Sequence, residues 1–474
     1  MTDEAVKVII TVEVEGRKFN PRQIEVSMNA KIDESFRQEI RLLEQELFET
    51  ILEVADERLW KTLAQDWKNV GREKRQIVTS VGWVPFKRRV FIDETGKRRK
   101  PLDEMLALQP KAHYSQSVAE KASYLISELP YRKTAPVLSW AVKTEISHTT
   151  VGRLMLKVGQ SLDAEEEEER KRVFEQGEVP EAGKIPAKVL YGESDGVYIS
   201  LQRERQKKTE VRVGILYTGK ETIAKGRKRL KNKVMVTKIV ENSQEWQEIM
   251  LKTAYTNYDL DTTTRMITGG DGGQWVRHSF DFLNLPQEFV LDRFHLYRDA
   301  RRAFGFCAQT DAWIYKIRTE NLESVLPDML TALSKAPPTQ AKKMHRFIQY
   351  LVNNREGLLD PDCRSHLQPG FQRLGAIEGN VDKLVVRRLK GRGRSWSIEG
   401  AKAMLATCRH QAELREGAFK AFRKQLTDKP SKAKTRIPDY GKWLQAGVPA
   451  LNSAHKNRPW AKVLRDRIHP SGVL

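Results

Sequence analysis

Apolar residues recur along this chain at two periods. Residues 5–14 alternate as a strand does, whereas 34–66 place Leu42, Leu43, Leu47, Ile51, Leu52, Val54, Leu59 and Leu63 at helical spacing. The runs Arg75–Val84 and Phe86–Asp93 predict a hairpin, and Glu94-Thr-Gly-Lys97 a further turn. Residues 115–160 read as three short helices. Within them Tyr131–Val142, the turn Lys143-Thr-Glu-Ile146 and Ser147–Lys157 resemble a helix-turn-helix, with Ser147 as N-cap. From Ala187 the order changes: strands over 188–201, 209–217 and 233–240, a helix over 242–255, then strands over 265–268 and 288–291. Three strands followed by alternating helix and strand is the order of an RNase H-like fold.

These patterns divide the chain into seven parts. They are an N-terminal α+β region (1–110), a helix-turn-helix DNA-binding region (111–162), an acidic linker (163–186), the first part of an RNase H-like core (187–298), a helical insertion (299–374), an acidic helix completing that core (375–412) and a basic C-terminal tail (413–474). The acidic run Asp163–Glu169, followed by Pro180 and Gly183, reads as a linker or an exposed helix with a solvated face. The tail carries Trp443 and Trp460.

Charge narrows the function. Lys and Arg total 83 against 62 Asp and Glu, a formal +21, which points to a polyanionic partner. A hydrophobic content of 39% supports packed domains. The three cysteines, Cys307, Cys363 and Cys408, form no disulfide framework and suggest a reducing compartment. Cys363 and His366 have local zinc spacing but no second pair. No run approaches the ~20 apolar residues of a membrane span. A cytoplasmic, nucleoid-associated protein is expected.

Three acids stand in distinctive settings: Asp195 in Gly192-Glu-Ser-Asp-Gly196, Asp271 in Thr268-Gly-Gly-Asp-Gly272, and Glu378 in Gly375-Ala-Ile-Glu-Gly379. In an RNase H-like sheet the first and fourth strands lie side by side, so Asp195 and Asp271 would share its rim, while Glu378 would come from a later helix. Three carboxylates so placed can hold two divalent cations for phosphoryl transfer. The blander reading makes Asp195 and Asp271 turn residues and Glu378 a helix-start acid. Glu399 is the competitor for the third position; Glu193 and Asp261 are weaker rivals.

The stretches Ile77–Arg89, Pro101-Leu-Asp103, Gly192–Tyr198, Thr268–Gly272, Leu291–Tyr297 and Ile377-Glu-Gly379 running on to Arg387–Ser397 resemble bacterial insertion-sequence transposases with a DDE catalytic core, specifically the ISLre-type family of the Mutator-like superfamily. That resemblance implies Asp195, Asp271 and Glu378 as catalytic metal ligands, supported by Asp292 and His295 in an Asp-x-x-His element. It implies two Mg²⁺ ions, with Mn²⁺ able to substitute, and DNA as partner. The enzyme would cleave the ends of its own element and join the 3′ ends to target DNA, as a homodimer or larger assembly. A stand-alone nuclease and a non-catalytic DNA-binding regulator are the alternatives.

Candidate DNA contacts are Ser147, His148, Thr149 and Arg153 in the helix-turn-helix. Arg227, Lys228 and Arg229 lie in a basic stretch opposed only by Glu204, Glu210 and Glu221, and Arg387, Arg388, Lys390, Arg392 and Arg394 follow Glu378. The basic strands of 75–93 could also touch phosphates. Trp275 and Trp396 are core residues or platforms for an unpaired base.

Overall fold

The computed structural model describes residues 5–417 apart from 12, 15–16, 19–21, 28–30, 64–65, 365–370 and 392. Arg392, His366, Trp443, Trp460 and the tail beyond 417 lie outside the described residues. The described residues fall into two compact units, 5–162 with 406–417, and 163–405, each mixing helices with sheet.

In the first unit a 32-residue helix, Ile32–Leu63, packs Leu52 against a long hairpin, Lys68–Thr79 and Gly82–Ile92. The hairpin turns at Ser80-Val81, earlier than the sequence pattern suggests. Gly82 takes φ +104, and the Thr79 hydroxyl donates to the Gly82 carbonyl (3.0 Å) while accepting from the Val81 amide (3.2 Å). Pro85 sits inside the second strand, opposite Gln76. That strand's other neighbour, Arg98–Arg99, pairs only with Phe91 and Ile92, so among the described residues the edge beside Pro85 carries no ladder for a missing N–H to interrupt.

Three of the hairpin's four arginines turn inward, while Arg72, Lys74 and Lys87 stay exposed. Arg75 and Arg88 are buried on Asp103, and Arg89 is buried on Asp56, which takes its guanidinium (2.6 Å) and its amide (2.8 Å). Arg88 and Asp103, one from each of the stretches Ile77–Arg89 and Pro101-Leu-Asp103, thus meet in an internal ion network with Arg75 and Glu73, and Arg89 forms a separate buried pair. Beyond it, Gln116–Glu128, Tyr131–Val142 and His148–Phe174 are helices. The second ends at Lys143 in the left-handed conformation (φ +51), and Ser147 accepts from the Thr150 amide (3.1 Å) to start the third.

The acidic segment, expected as a linker or an exposed helix, is helical as far as Phe174. Its acids are used: Asp163 and Glu166 hold Lys238 (2.6 and 2.7 Å), and Glu169 holds Lys252 (2.6 Å). These partly buried pairs replace the solvated face inferred from composition.

The second unit is built on five strands, β1 (Val189–Ser200), β2 (Lys208–Tyr217), β3 (Val234–Lys238), β4 (Arg265–Gly270) and β5 (Gln287–Leu291). Their spatial order is β3-β2-β1-β4-β5. β2 is antiparallel to β1 and β3, whereas β4 runs parallel to β1 and β5 parallel to β4. A hairpin absent from the sequence reading, Gly219–Ala224 with Arg227–Lys231, stands between β2 and β3. Helix Ser243–Asn257, capped by Asn242 on the Glu245 amide (2.8 Å), buries Trp246, Met250 and Ala254 in a core with Leu190, Leu216 and Met266. After β5, helices Arg293–Phe304, Ala308–Thr319, Leu326–Ser334 and Pro338–Asn353 enclose a second core around Leu296, Ile317, Met329 and Leu351.

Removing one partner of the first unit's network leaves buried guanidiniums unpaired. We expect Asp103→Ala to lower stability by about 3–5 kcal/mol in denaturant unfolding; a loss below about 1 kcal/mol would place these arginines in solvent.

Candidate functional site

Strand adjacency puts two of the acids side by side. β4 pairs with β1 up to Gly269 opposite Glu193; two residues further along each chain stand Asp271 and Asp195. The approach is close enough to require glycine. A Cβ on Gly270 would meet the Ser194 carbonyl oxygen at 2.5 Å, and Gly272 adopts φ +83. Asp271 then folds back, its carboxylate accepting from the Gly273 amide (2.9 Å), and its carbonyl accepts from the Tyr350 hydroxyl (2.8 Å).

Glu378 lies in the first turn of helix Ile377–Val381, which continues through a π-helical turn, Asp382–Val386, into Arg387–Leu389. Glu193 holds the start of this run. That side chain, on β1 and only 1% exposed, accepts from the amides of Gly375 (2.9 Å), Ala376 (2.9 Å) and Ile377 (3.1 Å), and from the Tyr217 hydroxyl (2.8 Å). A carboxylate satisfying the orphan donors at a helix start is favoured by hydrogen bonding and by the helix dipole. Glu193, a weaker rival for the third acid in the sequence, thus has its carboxylate taken up by these donors. It ties Glu378's helix to the strand carrying Asp195.

The grouping shows in the electrostatics. Burial pushes the Asp195 carboxyl up to about 6; the Gly196 amide and His295 oppose this, and the charges of Asp271 and Glu378 add to it. Glu399 is exposed at the start of helix Ile398–Arg409, just after Trp396, which bridges Leu201 past the end of β1. Asp261 lies in the turn after Asp259, its amide donating to the Asp259 carboxylate (3.1 Å).

Asp292 caps helix Arg293–Phe304, accepting from the amide (3.0 Å) and Nδ1 (2.9 Å) of His295. Burial works to raise Asp292, yet these bonds hold it below the usual carboxylate range. The same hydrogen bond keeps the His295 imidazole above its ordinary value against burial. Two neighbours escaped the sequence reading. Arg298, paired with Asp299 (2.9 Å), feels the charge of Glu378, and the Tyr350 hydroxyl is raised by burial and by Asp271. Neither sits in a motif that marks it.

Among the described residues no three carboxylate, imidazole or thiolate groups are already closed around one point. The donor set nonetheless suits a hard cation: Asp195, Asp271 and Glu378 offer only oxygen, they repel one another, and one is buried. Cys363 is exposed and unpaired with any disulfide partner.

The candidate DNA contacts separate. Ser147, His148, Thr149 and Arg153 belong to the first unit, the last three exposed on the helix that Ser147 caps. Arg227 and Lys228 are exposed on the hairpin of the second unit, where Arg229 pairs with Glu221 (2.5 Å). Arg387 is exposed and bound to Asp382 (2.8 Å), Lys390 is exposed and Arg388 half-buried. Arg394 is committed elsewhere, donating to the carbonyls of Arg387 (2.6 Å) and Arg388 (2.9 Å). Trp275, half-buried, packs edge-on to Trp246 beneath Arg212, and Trp396, also half-buried, donates to the Leu389 carbonyl (3.0 Å).

Fold and site together define a mixed α/β protein whose central sheet carries an acidic cluster at one rim. Residues 23–421 match the uncharacterised protein family UPF0236, and the chain belongs to that family. A relative from Streptococcus gallolyticus, described as a UPF0236 protein in the vanSb 3′ region, is 27% identical over 401 residues, covering 81% of this chain and 83% of its own. A solved chain from a Drosophila P element transposase strand transfer complex aligns over 77% of this chain and 94% of its own at 11% identity and a TM-score of 0.24, too low to carry an argument. No helix among the described residues is long and apolar enough to cross a membrane.

If Glu193 positions the Glu378 helix, Glu193→Gln should weaken that anchor by about 1.5–3 kcal/mol, the range for hydrogen bonds to a charged group. Amide exchange over 375–381 would then speed up at least about tenfold. Unchanged protection there would show that the helix is held by other contacts.

Proposed function

We propose that this protein is a DNA transposase whose second unit is an RNase H-like catalytic core. The carrying observation is the assembly of Asp195, Asp271 and the Glu378 helix by β1, β4 and Glu193. The strand order, with three antiparallel strands followed by two parallel ones, supports the core assignment. So do the motifs that resemble insertion-sequence transposases.

In this reading Asp195, Asp271 and Glu378 would hold two Mg²⁺ ions, for which Mn²⁺ would substitute. When bound, such a pair activates the attacking oxygen and stabilises the leaving oxygen of an in-line displacement. The chain itself supplies position and field. β1 and β4 hold two carboxylates on a rigid rim, and Glu193 sets the helix that brings the third. His295, its Nδ1–H spent on Asp292, would donate through Nε2 to a phosphate oxygen or a carboxylate as the imidazolium, the form that the Asp292 bond favours. Exposed Arg227, Lys228, Arg387 and Lys390 are the phosphate contacts of this unit, and His148, Thr149 and Arg153 those of the helix-turn-helix. The protein would first hydrolyse a phosphodiester at each element end, then use the freed 3′-hydroxyl on target DNA. Bringing two ends together would require at least a dimer.

Purified protein with a plasmid bearing the gene and its native flanks, in Mg²⁺ or Mn²⁺, tests this. We expect cuts at the element ends and joined products, both reduced to background in Asp195→Asn, Asp271→Asn and Glu378→Gln but retained in Glu399→Gln. His295→Ala should lose about 10–100-fold, as supporting contacts to metal ligands do. Cutting without joining would identify a nuclease. End-binding that never leads to cutting and is indifferent to Asp195→Asn would identify a regulator.

A further inference from the structure

The first unit contains a cavity of about 370 Å³ that the catalytic reading does not use. One wall is a face of the helix beginning at His148, where Thr150, Arg153, Leu154, Lys157 and Val158 follow one another at helical spacing. Opposite lie Trp83, from the start of the second hairpin strand, and the loop from Ala107 to Ser115.

Three properties of this cavity point to one kind of ligand. Lys111, Arg153 and Lys157 line it and, among the described residues, no carboxylate does, so it favours an anion. Trp83 is 41% exposed beside it, an indole surface on a strand fixed by the buried ion network, while Leu154, Val158 and Ala119 give an apolar lining. The volume lies at the small end of ligand pockets, too little for a duplex or a folded segment. The loop is also set in advance. It is zipped to Val78, whose amide donates to the His113 carbonyl (2.7 Å) and whose carbonyl accepts from the Ser115 amide (2.9 Å). Ala107 (φ +51) and Lys111 (φ +62) are both held in the left-handed region that residues with a Cβ seldom adopt.

We propose that this cavity binds one unpaired nucleotide of a DNA strand, its base against Trp83 and its phosphates among Lys111, Arg153 and Lys157. An aromatic face with flanking cations is the general means of holding an unpaired base without reading its sequence. The site would let the first unit distinguish frayed or opened DNA from intact duplex. The proposal rests on the DNA reading only for the source of the nucleotide; the pocket chemistry stands apart from the carboxylate cluster.

The test uses the full chain in EDTA, so that no metal-dependent step intervenes. Binding of a fully paired oligonucleotide is compared with that of a forked one carrying 2-aminopurine in its unpaired arm. The expected result is tighter binding of the fork by roughly tenfold, the scale of one stacked base, with quenched 2-aminopurine emission. Trp83→Ala and the double variant Arg153→Gln/Lys157→Gln should abolish the preference, and Trp83→Phe should keep most of it. Thermal melting of each variant shows that it is folded. Equal affinity for fork and duplex, or quenching unaltered in Trp83→Ala, would overturn the proposal. Displacement of the fork by free dAMP as readily as by a short single strand would assign the pocket to a soluble nucleotide and overturn the strand assignment. Loss of cutting in the carboxylate variants with fork preference intact would separate the two readings.

Discussion

Much of the second unit turns on one buried carboxylate. Glu193 sits in the middle of the central strand, where a charge without partners would be costly, and it is satisfied by three successive amides at the head of a helix. Those amides belong to residues more than 180 positions further along the chain. The bond therefore closes the unit across the whole helical insertion and fixes how the helix of Glu378 meets the strand of Asp195. The Tyr217 hydroxyl takes part in the same anchor from β2 and stacks on Tyr191 (5.2 Å), so three elements share the site's foundation. A cluster of mutually repelling acids needs such a foundation, because nothing in their own interaction holds them together.

Cationic charge is sorted by burial. Arg75, Arg88 and Arg89 are spent on Asp103 and Asp56 inside the first unit, Lys238 and Lys252 on the acids of the helix that begins at His148, and Arg394 on carbonyls at a helix end. What remains exposed, such as Arg227, Lys228 and Lys390 in one unit and Arg153 in the other, is what a polyanion would meet. A sequence-wide excess of positive charge therefore overstates the binding surface. It merges arginines that specify a core with lysines that face water.

The alternation of β1 and β2, the short apolar runs of β4 and β5 and the periodicity of the long helices were legible because local pattern and tertiary role agree there. The hairpin Gly219–Lys231 was not, since its two strands are mostly polar and exposed and leave no alternation to read. The acidic run Asp163–Glu169 read as solvated, whether linker or helix, because its partners, Lys238 and Lys252, are remote in sequence. Asp195, Asp271 and Glu378 stood out through their glycine-rich settings, and Gly270 shows why glycine is needed beside one of them. Glu193, two residues before Asp195, read only as a weaker rival for the third acid. Its function lies wholly in a contact that no local motif encodes.

The central claim is that three carboxylates from β1, the end of β4 and the Glu193-anchored helix form one cation site. The most direct measurement is anomalous diffraction from crystals of the full chain soaked in Mn²⁺, in wild type and in Glu378→Gln. The account predicts Mn²⁺ peaks between Asp195 and Asp271 in the wild type, at least one of them lost or weakened in the variant. Mn²⁺ bound at Glu399 instead, or a wild-type site that Glu378→Gln leaves unchanged, would contradict it.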